Sequence, residues 1–187
     1  MRVINGFQIP ETWADVTPNN MLAIIYLEDA GRSDASKVYE IVKIFNPNKD
    51  VMSLSFSDIS EIAETISTLI SSQPQSTQLI DTYKVKGKAY KILKPDEIDL
   101  QQYIDVTTLN SNELRKQLAN LPLIVSVLTD EVDDKMEWAK TVAEYVDIET
   151  LMGVVLFFSN ELAKYTSSIL QSSLQREIEE IKEETKN

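Results

Sequence analysis

Apolar residues recur every three or four positions along most of the chain, and residues that start or stop helices separate the apolar stripes. Thr17-Pro18 is a typical helix start, because threonine can cap free backbone N–H groups and proline suits the first helical turn. Asp58 and Glu61 form a pair like a capping box ahead of a clean apolar stripe. The spacing predicts a helix over about residues 18–29, a second from a cap at Ser33 or Asp34 to about Phe45, and a third from Asp58 to about Ile70.

A stretch around Lys86-Gly87 alternates between apolar and polar residues, as a hairpin with a two-residue loop would. That loop places Val85 opposite Lys88 and Tyr83 opposite Tyr90. Because the side chains of a strand alternate between its two faces, one face is predicted to be apolar and to pack on helices. The apolar face comprises Tyr83, Val85, Tyr90 and Ile92, and the polar face carries Lys84 and Lys91.

From residue 111 onward the pattern is helical, and Pro122 is predicted either to kink a helix or to start a new one. No glycine or proline follows Gly153, so the last helix could continue for roughly 35 residues and about 50 Å, more than a small domain covers from one side. The alternative is a break in the serine-containing segment 165–173. The apolar seam of this helix has heptad-like spacing and comprises Leu151, Val155, Phe158, Leu162, Tyr165 and Ile169.

Together these elements predict a mainly α fold, a helical bundle with one small β-hairpin at about residues 82–93 and a long C-terminal helix. The polar segment 71–78 contains Pro74 and is typical of a linker. It separates an N-terminal helical subregion, residues 1–73, from a hairpin-containing subregion, residues 74–187. The two subregions could also form a single domain.

The composition limits the kinds of binding and catalysis that the protein can perform. The formal net charge is -12, which opposes general binding to nucleic acid, since such binding depends on Lys and Arg neutralising phosphates. The chain has no cysteine and no histidine, which excludes thiolate nucleophiles, zinc–thiolate sites and histidine-based catalytic triads. The apolar runs at 21–27 and 151–158 are too short to cross a bilayer, and no signal peptide is visible. A protein made in a cytoplasm is expected.

Two charged clusters could form sites, but each has a simpler interpretation. The five lysines between residues 84 and 94 could hold phosphate or an acidic partner, or they could be the solvated face of the hairpin. The acidic segment 129–134 departs from a calcium-binding loop, because Val132 stands where a ligand is needed. A solvated loop that begins a helix is the preferred interpretation. The four glycines are scattered, so no phosphate-binding loop is predicted. No catalytic, cofactor-binding or metal-binding residue is assigned.

Three motifs occur in order: IPETWADVT at residues 9–17, YKVKGKAYKI with DLQQYIDV at 83–106, and LMGVVLFFSNEL at 151–162. In this order they resemble a family of small structural and assembly proteins of tailed bacteriophages of Bacteroidota, including crAss-like phages. Its members are often described as similar to tail-assembly chaperones. The region around Pro122 and the acidic tail after Tyr165 depart from the pattern of that family.

The resemblance implies a non-enzymatic structural component of a tailed-bacteriophage virion, such as a head–tail connector ring, a tail-associated subunit or a packaged protein. It would be synthesised in the bacterial host cytoplasm and act as a homo-oligomer on portal, connector or tail subunits, without specific nucleic-acid or membrane binding. The alternatives are a transient tail-assembly chaperone, a carboxylate- or metal-dependent enzyme, and a host-cell adaptor of helical fold. The predicted protein-interface residues are Trp13, Tyr83, Tyr90, Tyr103, Phe157, Phe158, Leu162, Ile169 and Ile178.

Overall fold

The computed structural model describes residues 1–29, 31, 33–72, 74, 76–109 and 113–184, with all of their side chains except those at 28, 29, 114, 174 and 177–184. This part of the chain contains two antiparallel hairpins and seven α-helices, which confirms the predicted mainly α fold. The strands are β1 (Arg2–Ile4), β2 (Phe7–Ile9), β3 (Thr82–Val85) and β4 (Lys88–Lys91). The helices are α1 (Pro18–Asp29), α2 (Asp34–Phe45), α3 (Phe56–Ser71), α4 (Leu100–Leu109), α5 (Leu114–Leu128), α6 (Lys135–Tyr145) and α7 (Ile148–Glu184).

The first hairpin is a feature that the sequence analysis missed. Strands β1 and β2 pair in antiparallel fashion around Asn5 and Gly6, which have φ angles of 47° and 83°. Positive φ at both central residues defines a type I′ turn, and Asn-Gly is its preferred sequence. The hairpin is therefore local in origin, and the Asn-Gly pair between two short apolar runs was the signal for it.

A buried asparagine attaches this hairpin to α2. The side chain of Asn46 accepts a hydrogen bond from the Gln8 backbone N–H at 2.9 Å and donates to the Gln8 carbonyl at 2.8 Å. It also donates to the carbonyl of Val42 at 3.0 Å, within the last turn of α2. Asn46 therefore ends the helix and also pairs with β2 as a neighbouring strand would.

Helix α3 begins earlier in the sequence than the predicted capping pair, Asp58 and Glu61. Ser55 is the cap: its hydroxyl accepts from the Asp58 N–H, and the Asp58 carboxylate accepts from the Ser55 N–H at 2.9 Å. This is a reciprocal capping box. Asp58 also accepts a hydrogen bond from the side chain of Asn5 at 3.2 Å, which ties the first hairpin to α3.

The second hairpin has the predicted register. Val85 is opposite Lys88 and Tyr83 is opposite Tyr90, around a Lys86-Gly87 turn in which both residues have positive φ. The predicted apolar face is turned inward, with Tyr90 the least buried of its four residues. After β4 the chain continues along the end of α5, where the Leu93 N–H donates to the Leu128 carbonyl at 2.8 Å.

The long helices resolve the two alternatives left open by the sequence. Helix α5 runs without a break through Pro122, which is buried inside it, so no new helix starts there. Helix α7 is continuous for 37 residues, so the serine-containing segment 165–173 does not break it. Asp147 caps α7, because its carboxylate accepts from the Thr150 N–H at 2.8 Å.

The buried apolar residues form two cores that meet. The first lies among β1, β2 and α1–α3, and the second lies among β3, β4 and α4–α7. Trp13, Val16 and Leu69 precede the predicted linker yet belong to the second core, and Phe45 packs against both. The predicted subregions therefore share packed side chains across the 73/74 boundary.

A glycine permits the closest crossing of two segments. A Cβ atom added at Gly153 of α7 would lie 2.6 Å from the Ile80 Cδ1 atom and 3.0 Å from the Gln78 carbonyl oxygen. The Ile80 N–H also donates to the Gly153 carbonyl oxygen at 3.2 Å. The segment before β3 can therefore lie directly on α7 only because residue 153 has no side chain.

We predict that Gly153→Ala lowers the free energy of unfolding by about 1–3 kcal/mol, although alanine favours helices more than glycine does. The added methyl group would force Ile80 and the backbone at Gln78 away from α7. Urea unfolding followed by circular dichroism measures the change. An unchanged or increased stability would show that the crossing is loose. Ser168→Ala on the exposed part of α7 is the matched control, with an expected change of under about 0.5 kcal/mol.

The capping box at α3 predicts a pH dependence of stability. The hydrogen bonds from Ser55 hold the pKa of the Asp58 carboxyl below its usual value. A depressed pKa in the folded state means that the carboxylate stabilises the fold above its unfolded-state pKa, and that this stability is lost as the pH falls through the folded-state value.

We therefore expect Asp58→Asn to reduce the free energy of unfolding at pH 7, and we expect the difference from the unsubstituted protein to shrink as the pH falls below about 3.9. Thermal unfolding of both proteins between pH 2 and pH 7 tests this. A difference that is independent of pH would mean that the charge of Asp58 does not contribute.

Candidate interaction surface

Helix α7 leaves the protein core after Leu162. Every described side chain from Ala163 to Arg176 is exposed, whereas Leu151, Val154 and Phe158 earlier in the same helix are buried. Residues 163–184 are called the arm from here on. At about 1.5 Å per residue the arm is about 33 Å long.

The proximal half of the arm carries exposed apolar side chains. Tyr165 and Ile169 continue the seam that is buried at Leu151 and Phe158, and Ile169 is 49% exposed. Leu170 is 59% exposed. The heptad-like spacing thus continues beyond Leu162, the last seam residue that packs against the core, so part of the seam is not covered by the described residues.

A groove lies beside the base of the arm. It is a cavity of about 80 Å³ whose walls come from three helices, and its lining is apolar apart from two hydroxyl groups. We call it the α4–α7 groove. Its lining residues are Val106 and Thr107 of α4, Ile124 and Leu128 of α5, and Val155, Phe158, Ser159 and Leu162 of α7.

Helix α4 extends the apolar character of this side of the molecule. Its first turn is capped by Asp99, which accepts from the Gln102 N–H at 2.7 Å. Val106 faces inward, while Leu100, Tyr103 and Ile104 are exposed. Of the predicted interface residues, Tyr103 is therefore in a position that a partner can reach. Leu100 and Ile104 were not among the predicted interface residues, although both lie in the DLQQYIDV motif.

The tyrosine of the second hairpin is part of a buried hydrogen-bond chain. The Trp138 Nε1–H donates to the Tyr83 hydroxyl at 2.8 Å, and that hydroxyl lies 2.7 Å from Thr129 Oγ1. Thr129 uses its own proton on the Val125 carbonyl at 2.7 Å, so the Tyr83 hydroxyl is the donor to Thr129. Burial raises the pKa of Tyr83, which keeps the hydroxyl protonated for this role.

The tip of this hairpin is basic and borders aromatic rings. Lys86 Nζ lies 4.2 Å from the centre of the Tyr145 ring, and Lys88 Nζ lies 4.9 Å from that of Tyr90. Lys91, at the other end of β4, forms an ion pair with Glu97 at 2.7 Å. The tip lysines therefore cover aromatic surface, and the lysine at the base of the hairpin is paired within the chain.

The structure places the predicted interface residues in different environments. Trp13, Tyr83 and Phe158 are each less than 10% exposed, and Trp13 donates to the Ser72 hydroxyl at 3.0 Å. These three side chains pack within their own chain and present almost no surface to a partner. Residues with accessible surface are Tyr90, Tyr103, Phe157, Leu162 and Ile169. The side chain of Ile178 lies outside the described residues.

The carboxylates of segment 129–134 have local roles. Asp134 caps α6 by accepting from the Glu137 N–H at 2.9 Å, and Asp130 accepts from the Glu131 N–H at 2.9 Å. Lys135 donates to the Thr129 carbonyl at 2.7 Å, and burial lowers the pKa of Lys135. The predicted loop that begins a helix is confirmed. Among the described residues, no three acidic side chains converge as a metal site would require.

Comparisons with known protein families, curated protein sequences and solved structures found no significant match to this chain. In the part of the chain that the structure describes, none of the helices has both the length and the apolar character of a membrane span.

We predict that Tyr83→Phe lowers the free energy of unfolding by about 1–3 kcal/mol, because the Trp138 N–H would lose its acceptor and Thr129 Oγ1 its donor in a buried position. Chemical denaturation monitored by tryptophan fluorescence measures the loss. Tyr26→Phe is the control, since Tyr26 is largely exposed. Equal effects of the two substitutions would contradict a structural role for the hydrogen-bond chain.

Proposed function

We propose that the protein is a non-enzymatic structural subunit of a tailed-bacteriophage particle and that it acts through protein–protein contacts. The arm is the main contact element in this proposal. The single observation that carries the proposal is the extension of one continuous helix about 33 Å beyond the core with exposed apolar residues on it.

Energetic considerations support a role for the arm in contact. An isolated helix of this length is marginal in water, and most helices gain their stability from packing an apolar face. Tyr165, Ile169 and Leu170 are 44%, 49% and 59% exposed, so they gain little of this packing from the described part of the chain. Exposed apolar surface beside an apolar groove is typical of a surface that binds another protein.

The phage assignment is supported by the three motifs of the sequence. Two glycines of these motifs have definite structural roles. Gly87 lies in the hairpin turn, and Gly153 lies where the segment around Ile80 crosses α7 closely. The motif at 151–162 also forms the buried base from which the arm extends. The resemblance and the projecting helix point to the same class of function by independent routes.

Truncation tests the role of the arm. We expect a chain that ends at Tyr165 to keep the unfolding midpoint of the body within about 3 °C, because it loses few buried contacts. We expect particles produced with the truncated chain in place of the full chain to assemble at a yield at least tenfold lower. Electron microscopy and infectivity counts measure the yield. Normal assembly with the truncated chain would contradict the proposal.

A second candidate, a transient tail-assembly chaperone, is favoured by a different surface. An apolar cavity of about 150 Å³ opens between α2 and residues 51–59, lined by Val38, Val42 and Met52 among others. Met52 and the neighbouring Phe56 are 78% and 86% exposed. Flexible methionine beside an apolar cavity suits a surface that holds varied apolar segments.

Mass spectrometry of purified particles distinguishes the two candidates. A structural subunit is present at many copies per particle, whereas a chaperone departs before the particle is complete and is nearly absent. Quantification against a capsid protein of known copy number gives the answer. Fewer than about one copy per particle would favour the chaperone and overturn the structural assignment.

A further inference from the structure

One edge of the second hairpin is covered by its own chain. In an antiparallel pair, every second residue of a strand turns its backbone N–H and C=O groups away from the partner strand. On β4 the outward carbonyl of Lys91 accepts from the Asp130 N–H at 3.0 Å. Ile92, just after β4, forms an antiparallel bridge with Thr129. The segment that follows α5 therefore occupies the outer edge of β4.

The outer edge of β3 is open. The Asp81 carbonyl accepts from the Ile92 N–H at 2.8 Å, so the odd-numbered residues of β3 bond to β4. The even-numbered residues, Thr82 and Lys84, therefore turn their backbone groups outward. Both residues are exposed, and their outward groups bond to no other residue of the described chain. Strand β3 thus presents two donors and two acceptors to which another strand can add.

The residues around this edge carry charge of one sign. Residues 82–95 contain five lysines and no acidic residue, in a chain with a formal net charge of -12. Lys91 pairs with Glu97 at 2.7 Å, whereas Lys84 forms no ion pair with another described residue. A strand added to β3 would place one side chain beside Lys84 on the same face of the sheet. Opposite charges stabilise such cross-strand neighbours, so a carboxylate is favoured there.

We propose that the open edge of β3 binds an extended, acidic segment of a partner protein, which adds to the hairpin as a further strand. The backbone groups of Thr82 and Lys84 supply the pairing. Carboxylates at every second position of the segment lie on the face that carries Lys84, because side chains alternate along a strand. The site lies on the hairpin and not on the arm, so this inference goes beyond the proposed function and does not depend on it.

The charge of the edge argues against two other occupants. A second copy that paired its own β3 here would bring two lysine-bearing strands together, and like charges on adjacent strands are unfavourable. Edge lysines prevent self-pairing in this way, but they do not repel an acidic strand. Nucleic acid would be attracted to the lysines, yet it has no peptide backbone to pair with Thr82 and Lys84. An acidic polypeptide satisfies both the charge and the backbone groups.

Solvent-exchange NMR of the full chain tests the geometry of the free protein. The amides of Thr82 and Lys84 should exchange with water rapidly, because they face outward. The amides of Tyr83 and Val85 bond to β4 and should exchange at least about 100-fold more slowly. The opposite pattern, with Thr82 and Lys84 protected, would show that the edge is not open.

A peptide titration tests the binding. The probe is a capped peptide of about six residues in which glutamate and valine alternate, since strands are usually of that length. The contact is small, so a Kd of about 10–500 µM is expected. With the peptide at about ten times its Kd, exchange of the Thr82 and Lys84 amides should slow about tenfold, because only the unbound fraction exchanges. A peptide of alternating lysine and valine is the control and should not bind.

Two pairs of substitutions separate the backbone contribution from the charge. Thr82→Pro removes one outward N–H and keeps every lysine, and proline is tolerated at the first residue of a strand. It should weaken binding at least about tenfold, whereas the matched Thr82→Val should change it less than about twofold. Lys84→Glu should weaken binding about tenfold. Lys94→Glu makes the same charge change beyond the end of β4, and its effect should be under about threefold.

A modified peptide keeps the test decisive if Thr82→Pro fails to fold, which circular dichroism checks. Methylating every second amide nitrogen of the acidic peptide removes its donors along one edge and leaves its charge unchanged. If strand pairing holds the peptide, methylation of the edge that faces β3 should abolish binding. Peptides methylated on either set of alternate amides are compared, so that both registers are covered.

Three results of the titration would overturn the inference. The first is the absence of saturable binding up to about 2 mM acidic peptide. The second is binding that survives both Thr82→Pro and methylation, which would show attraction by charge alone, as nucleic acid would also give. The third is protection of the Thr82 and Lys84 amides that grows with protein concentration in the absence of peptide, which would identify a second copy as the occupant. None of these results bears on the arm, whose role the particle experiment measures separately.

Discussion

The close packing of the first half of α7 is the constraint on which the rest of the second core depends. The Ile148 N–H donates to the Val16 carbonyl at 2.9 Å, which brings the N-terminal segment onto the start of the helix. One turn later Gly153 allows Ile80 to lie on the helix backbone, and Phe158 then packs in the core with α5. Segments from three distant parts of the chain thus meet on a single helix, whose direction is fixed by that contact.

That fixed direction gives the arm its significance. A helix packed at its base carries its exposed residues to a defined distance from the core, and the consecutive residues Ile169 and Leu170 point about 100° apart around it. Flexible tails bind with a large loss of conformational entropy, whereas a preformed helix loses little. The groove at the base and the exposed apolar residues of the arm therefore lie on one continuous helix.

Much of the fold was predictable because its determinants are local. The hairpin at Lys86-Gly87 has the predicted register, since two residues with positive φ allow only one pairing of the flanking strands. The Asn5-Gly6 hairpin follows the same rule and was overlooked among turn-forming residues. The prediction placed the start of α3 at Asp58, whereas the capping residue is Ser55. Serine and aspartate cap helices about equally well, so only the backbone conformation shows which of the two precedes the first turn.

The candidate site was predictable only in part. Trp13, Tyr83 and Phe158 were assigned to an interface, yet they are buried within the chain, whereas Leu170 was not assigned and is exposed. An apolar side chain has the same preference for leaving water whether its neighbours belong to its own chain or to another. Spacing therefore identifies apolar stripes without distinguishing a core from a contact surface.

The sequence by itself determined where the helices and the second hairpin form, because caps, turns and apolar periodicity act over a few residues. Only the tertiary structure decided which part of the α7 seam is covered. That outcome depends on how far α4 and α5 extend beside the helix, and their packing comes to an end near Leu162. Coverage is a property of distant segments brought together, so no local pattern along the chain could supply it.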